Sequence, residues 1–223
     1  MRSKLFVPGS RPELFAKALA GPADALSFDL EDAVAPARKE EARGHLAGLL
    51  SSAEAGAAGK TLIVRVNALD SNHFHADLRA VVRKGLSLVN LPKVECVADV
   101  QAAAGALDQA RLANGVEHPV GLLLNIESPR ALRRAAALAA AHPCVAGLQL
   151  GLGDLFEPAG IDRREPGAVR QAMLAVRLAA AEAGYSRMTL PLQISRIQRD
   201  FKPRPNWRAG WGSWAKVASI PAR

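Results

Sequence analysis

The 223 residues are 49% hydrophobic with a mean hydropathy of +0.04, enough apolar matter for one sizeable α/β domain or two small ones, which excludes a disordered or fibrous chain. The net charge of +8 sits almost wholly in residues 185–223, where eight Lys and Arg face Asp200 alone; the first 184 residues carry only +1, so a nucleic-acid-binding body is not indicated. Cys96 and Cys144 make no disulfide framework and lack metal-ligand spacing to a second Cys or a His. No apolar run reaches membrane-spanning length, and the apolar stretch at Leu5 to Val7 is too short for a signal-peptide core, so a cytoplasmic protein is expected.

In chain order, Lys4 to Pro8 reads as a first strand, and Arg11 to Leu19 as a helix with Ser10 as N-cap and Pro12 in its first turn. Ala25 to Leu30 is a second strand running into Asp29, Glu31 and Asp32; Pro36 to Leu50 is an amphipathic helix, and the Ser/Ala/Gly stretch after it a loop. Thr61 to Val66 is a third strand ending near Arg65 and Asn67, and Ala76 to Lys84 a helix. Leu86 to Leu91 is a fourth strand before Pro92 and Lys93, followed by a helix over Val97 to Ala113. Pro119 to Glu127 and the run from Val145 to Asp154 are the fifth and sixth strands, each ending in a carboxylate, with an alanine-rich helix between them.

Each strand runs into polar or charged residues, and the tips Glu31, Arg65, Lys93, Glu127 and Asp154 are spaced by 34, 28, 34 and 27 residues, one strand–helix repeat each. That favours a (β/α) barrel of TIM type over a doubly wound sheet, whose early glycine-rich phosphate turn is missing. In a barrel the tips share one rim. Glu127 and Asp154, from neighbouring strands, suit a hard divalent cation, most plausibly Mg²⁺, unless they are merely solvated acids. Arg65 could hold a substrate carboxylate bidentately, or serve only as a structural partner of Glu31 or Asp32; Lys93 could equally be a snorkelling surface residue. A metal beside a carboxylate clamp suits C–C bond making or breaking next to a carbonyl.

The segments RSKLFVPGSRPELFAKAL, SFDLEDAVAPARKEEAR, VRVN, LPKV, NIESPRAL and GLGDL, in that order, resemble the citrate lyase beta subunit group of the HpcH/HpaI aldolase superfamily over residues 1–184. The resemblance implies a TIM barrel that binds Mg²⁺ and cleaves or forms a 3-hydroxyacyl thioester, giving an acyl thioester and a 2-keto acid. It implies Glu127 and Asp154 as metal ligands and Arg65 as substrate clamp. Asp29, Glu31 and Asp32 form an acidic cluster in the outer shell of the metal, with Glu31 and Asp32 counted with Arg65 as catalytic, and Gly153, Asp154 and Leu155 border the keto acid. The thioester is carried on CoA or on an acyl-carrier protein, and the intact barrel is expected to be a homo-oligomer.

Beyond Tyr185 the resemblance ends: strands seven and eight, with the family's Cys-Ile-His-Pro ending, are missing, and an aperiodic tail holds Trp207, Trp211 and Trp214 among Arg and Pro. Synonymous codons for this tail allow a frame displaced by two nucleotides to read a helix and then Cys-Ile-His-Pro. The expectation is therefore a body of about six βα units over residues 1–184 and a frameshifted tail over 185–223, a truncation that would leave the chain poorly folded or inactive. Competing readings are a non-catalytic barrel that binds an acyl-CoA or keto acid, and a tail that binds single-stranded nucleic acid or an anionic membrane.

Overall fold

The computed structural model describes residues 3–184, all within one compact unit spanning Met1–Gln193. The expected tail lies outside the described residues. Six strands, β1 (Lys4–Pro8), β2 (Ala25–Asp29), β3 (Thr61–Arg65), β4 (Leu88–Leu91), β5 (Gly121–Ile126) and β6 (Val145–Leu150), form one parallel sheet in sequential order. The helices between them are α1 (Phe15–Ala20), α2 (Lys39–Ser51), α3 (Ala53–Ala57), α4 (Phe74–Val81), α5 (Val97–Ala113), α6 (Pro129–Arg133) and α7 (Ala135–Ala139); α8 (Leu152–Phe156) and α9 (Pro166–Glu182) follow β6.

Sequential parallel order with a helix after each strand is how a TIM-type barrel is wound. Among the described residues β1 and β6 each pair on one side only, so the sheet is open, as a barrel of six βα units requires. It is nevertheless curved: Lys4 on β1 donates its ammonium to Gln149 Oε1 on β6, so the two edge strands meet across the concave face.

The two faces differ because alternate residues point opposite ways. Outward, Leu26, Phe28, Leu62, Val64, Val89, Leu122, Leu124, Val145 and Leu148 pack with Leu46, Leu50, Leu78, Leu107 and Leu138 of the helices in the main core. Inward lies a small apolar cluster of Ala25, Ile63, Leu88 and Leu123, and above it toward the strand ends a polar layer begins at Ser27, Asn90 and Asn125. Parallel register sets Asp29 beside Arg65 and Arg65 beside Asn90, and Asn125 beside Gln149, which brings these polar side chains to one level.

Most strand boundaries agree with the sequence reading to within two residues, but the connections differ. The first and second helices each begin as a 3₁₀ turn, Pro12–Leu14 and Pro36–Arg38, and Ser10 caps neither, since the residue before the first turn is Arg11 and it makes no side-chain cap bond. The expected loop after α2 holds α3, started by Ser52 accepting from the Ala55 amide at 3.3 Å. The alanine-rich helix is two short ones, interrupted at Arg134 (φ −106°, ψ 7°). Cys96 stands at the N-cap of α5, where Asp99 accepts from the Glu95 and Cys96 amides.

Phe28 is fully buried and meets Phe15 edge-on at 5.0 Å, whereas Phe6, on the concave face, is 43% exposed. Phe28→Ala should cost about 3–5 kcal/mol in urea denaturation, and Phe6→Ala much less. Equal losses would contradict the placement of the core on the convex face.

Candidate active site at the strand ends

The C-terminal ends of β2 to β6 gather the charged residues, as they do in barrels whose sites lie at that face. At the centre is Arg65, the last residue of β3, with its side chain 15% exposed. Its Nε and Nη2 donate to both oxygens of Asp29 at 2.8 and 2.6 Å, and Nη1 lies 2.8 Å from Glu31 Oε2 and 3.2 Å from Asp32 Oδ2. The partner that takes the fork is Asp29, a residue that sequence alone does not single out as Arg65's partner. Burial pushes the guanidinium pKa down, but the hydrogen bonds and charges of Asp29, with Glu31 and Asp32, outweigh it and hold Arg65 firmly protonated.

Asp29 also accepts from the backbone N–H of Glu31 at 2.9 Å and of Ala33 at 3.1 Å, so the ion pair shapes the loop that presents Glu31 and Asp32. Lys39 reaches back from α2 to donate to the Leu30 and Glu31 carbonyls at 2.7 and 3.0 Å, fixing the loop from below. Asn67 belongs to this scaffold and not to the mouth: its amide donates to Leu30 O and to Asp77 Oδ2, and Arg43 pairs with the other oxygen of Asp77. A cleft of about 530 Å³ opens beside Glu31, Asp32, Lys39, Asn67, Asp70 and Lys93.

Glu127 follows β5 and is 6% exposed. Oε1 accepts from the Lys93 backbone N–H at 2.6 Å and Oε2 from Asn125 Nδ2 at 3.0 Å. Lys93 makes the first bond from a left-handed backbone conformation (φ 55°), while its ammonium, half exposed, sits 2.9 Å from Glu31 Oε1. One residue thus touches two acids, through its main chain and its side chain. The Glu31 hydrogen bond raises the Lys93 pKa.

Asp154 lies exposed in the first turn of α8 and not at the tip of β6, three residues beyond Gly151, the N-cap of that helix, which closes on Glu127. A Cβ on Gly151 would come within 2.8 Å of both Glu127 Cβ and Oε2, so only glycine leaves that carboxylate its space. Burial raises the Glu127 pKa, with the negative charges of Glu31 and Asp154 adding to it against the Lys93 and Asn125 hydrogen bonds. Burial likewise raises Glu31, against Lys93 and Arg65. Leu155 turns its side chain into a small apolar cluster with Phe156 and Ala172, and its N–H is taken by Gly151 O at 3.1 Å.

The donor set fits Mg²⁺. It offers hard oxygens and a buried carboxylate, Glu127, that the charges of Glu31 and Asp154 repel until a cation intervenes. Mg²⁺ characteristically takes one or two carboxylates and leaves its other positions to water and substrate. Sequence reasoning brought Arg65, Glu31, Asp32, Lys93, Glu127 and Asp154 to this rim; it did not single out Asn125, Gln149, Lys4 or Gly151, which stand inside apolar or glycine-rich runs.

A sequential parallel βα sheet with carboxylates and a clamped arginine at its C-terminal rim is the architecture of a TIM-barrel-type fold. The sequence model of the HpcH/HpaI aldolase/citrate lyase family matches residues 2–197, and the chain belongs to that family. The L-malyl-CoA/beta-methylmalyl-CoA lyase of Cereibacter sphaeroides (strain ATCC 17025) is 35% identical over 163 residues, 72% of this chain and 51% of that protein. A (3S)-malyl-CoA thioesterase of the same species is 36% identical over 182 residues, 82% of this chain and 59% of that one. The chain therefore spans about half to three fifths of the length of these curated relatives. Among solved structures, the citrate lyase beta subunit of M. tuberculosis complexed with oxaloacetate and magnesium superposes with a TM-score of 0.65 at 32% identity, covering 82% of this chain and 75% of that one.

A group whose folded pKa is raised is stabilising while it is protonated, and loses that contribution as pH rises from its ordinary 4.5 through the folded value. Without divalent metal, the stability of the parent chain relative to Glu127→Gln should therefore fall as pH rises above about 4.5, and saturating Mg²⁺ should restore it. Urea denaturation across a pH series checks both; a parent-to-variant difference that does not change with pH would contradict the buried, repelled carboxylate.

Proposed function

We propose that the chain is, or derives from, an Mg²⁺-dependent carbon–carbon lyase acting on a 3-hydroxyacyl thioester, with Glu127 and Asp154 as metal ligands and Arg65 as the clamp for the substrate carboxylate. The observation that carries this reading is Glu127: a buried carboxylate, donor-bonded at each oxygen, repelled by Asp154 and Glu31, at the rim beside a fully protonated guanidinium. The relatives named as malyl-CoA lyases, and the citrate lyase beta subunit complexed with oxaloacetate and magnesium, support the substrate class.

In the cleavage direction the 3-hydroxyl gives up its proton and the C2–C3 bond breaks. Its electron pair passes to the thioester carbonyl as an enolate, which takes a proton to become the acyl thioester, and the former hydroxyl oxygen becomes the keto group of a 2-keto acid. Mg²⁺, when bound, supplies Lewis acidity to the keto-acid oxygens. Arg65 orients the carboxylate. Glu31, whose pKa burial raises, and Asp32, beside Arg65 Nη1, stand where a proton can be moved at the rim. Gly153, Asp154 and Leu155 border the keto acid, and the acyl group is carried by CoA or by an acyl-carrier protein.

We further propose that the protein works in the cytoplasm as a homo-oligomer without nucleic-acid or membrane partners; no helix among the described residues is long and apolar enough to cross a membrane. The division into a six-unit body and a frameshifted tail is likewise a proposal, and the nucleotide sequence across codons 180–190 in sibling isolates tests it. A second reading, hydrolysis of the thioester at the same rim, is favoured by the similarity to a malyl-CoA thioesterase.

The products decide. Incubated with malyl-CoA and Mg²⁺, the full chain should release acetyl-CoA and glyoxylate, while free CoA with malate would establish the hydrolytic reading instead. In the lyase, Arg65→Lys keeps the charge but loses the fork, and should weaken keto-acid binding by about 1–3 kcal/mol in the condensation direction. Unchanged keto-acid affinity would leave Arg65 only its structural role with Asp29.

A further inference from the structure

Beneath the rim, a line of polar side chains crosses the concave face from the first strand to Glu127. Lys4, 7% exposed, donates its Nζ to Gln149 Oε1. Gln149 Nε2 donates to Asn125 Oδ1 at 3.0 Å, and Asn90 Nδ2 donates to the same oxygen at 2.8 Å while also reaching Leu123 O at 2.9 Å. Asn125 Nδ2 then donates to Glu127 Oε2 at 3.0 Å.

The order of donors and acceptors is set at both ends. An ammonium can only donate, so Gln149 turns its carbonyl to Lys4 and its NH₂ to Asn125. Asn90 is held with its NH₂ toward Asn125 because its other contact is a backbone carbonyl. Asn125 therefore receives two N–H groups on its oxygen, which leaves its NH₂ for the carboxylate. A flipped Asn125 would set its oxygen against Glu127 Oε2, lone pair to lone pair, in a buried place where such a mismatch is costly.

Lys4 is an unusual residue to bury without a carboxylate beside it. Burial, with the Arg65 charge pushing the same way, pulls its pKa down to about 7, and its hydrogen bond is to a neutral amide. The Phe6 ring, 4.3 Å from Lys4 Nζ to its centroid, offsets part of that cost, but no carboxylate does. What the lysine does accomplish is to join the two edge strands and fix the amide sequence that ends on Glu127.

We infer that Lys4, Gln149 and Asn125 form a positioning relay that holds Glu127 in the orientation in which it binds the metal. The inference rests on the proposed reading of Glu127 as a metal ligand. Groups that hydrogen-bond a metal-ligating carboxylate commonly change affinity 10–100-fold when removed.

Mg²⁺ titration calorimetry on the full chain tests it, with Glu127→Gln, Lys4→Met and Gln149→Glu as variants. Lys4→Met should weaken Mg²⁺ binding roughly tenfold. Gln149→Glu is the sharper probe: it keeps Lys4 partnered, now as an ion pair, and adds negative charge near the site, but has no N–H for Asn125. The relay predicts weaker binding, whereas a purely structural Lys4 latch predicts binding as tight as the parent or tighter, and that result would overturn the relay. If Glu127→Gln binds Mg²⁺ like the parent, the metal-ligand reading itself fails; if it binds more weakly while Gln149→Glu does not, the relay alone fails. Should a variant not fold, the parent decides: the Asn125 side-chain amide signals in ¹⁵N-asparagine-labelled protein should move along the calorimetric isotherm, and signals indifferent to Mg²⁺ would refute the relay.

Discussion

A single buried guanidinium governs this rim. Asp29, Glu31 and Asp32 arrive together at the end of β2, and a loop carrying three acids in four residues would repel itself apart without a cation at its centre. Arg65 arrives one strand over, in register with Asp29, and binds all three. Asp29 then passes the constraint on by accepting two loop amides. Removing one partner of so buried a pair typically costs about 3–5 kcal/mol, because the other charge is stranded. The constraint is therefore on the site's shape before it is on its chemistry: the ion pair holds the loop that sets Glu31 within reach of the Lys93 ammonium.

The curved sheet supplies the second constraint by separating what is apolar from what is polar. Its outer face is continuous with the helices, and the burial there is of the ordinary kind, Leu, Val and Phe against Leu and Ala. The inner face carries few apolar side chains and then a layer of amides. Buried amides are costly unless paired, and here Gln149 and Asn125 pair in one direction, between a donor on β1 and an acceptor after β5, while Asn90 gives its NH₂ to Asn125 and leaves its own Oδ1 without a partner.

The strands and the rim were legible because a parallel core strand is an apolar run with a polar tip, and the spacing of the tips repeats with the βα unit. The inner amide layer was not. Asn125 inside LLLNI and Gln149 inside GLQL are single polar residues within apolar runs, and nothing local says whether such a residue faces a helix, solvent or a neighbour. Only register brings Asn90, Asn125 and Gln149 together. The helical break at Arg134 was hidden because alanine suits one long helix or two short ones equally. Arg65 was legible with two of its contacts, Glu31 and Asp32, but not with Asp29, which takes the fork, because that pairing is fixed only by the register of β2 against β3.

The charge balance at the rim says how a substrate would have to enter. Asp29, Glu31, Asp32, Glu127 and Asp154 face Arg65, Lys93 and Lys39, an excess of two acids that one Mg²⁺ balances and no more. A carboxylate substrate cannot simply be added to such a site; it must replace an acid on Arg65. Asp29 holds the fork with two short bonds and Glu31 is buried between two cations, so neither leaves cheaply. Asp32 is different: its side chain is 61% exposed and its contact with Nη1 is the longest of the set at 3.2 Å. Exposed ion pairs are worth little because water replaces them readily. If Arg65 clamps the substrate as proposed, Nη1 is the arm that does so, with Asp32 swinging into solvent, and the carboxylate displaced from the arginine stays close to the bound substrate. The arrangement that makes Arg65 look purely structural at rest is thus compatible with a catalytic one, because one of its three carboxylates is held loosely enough to exchange.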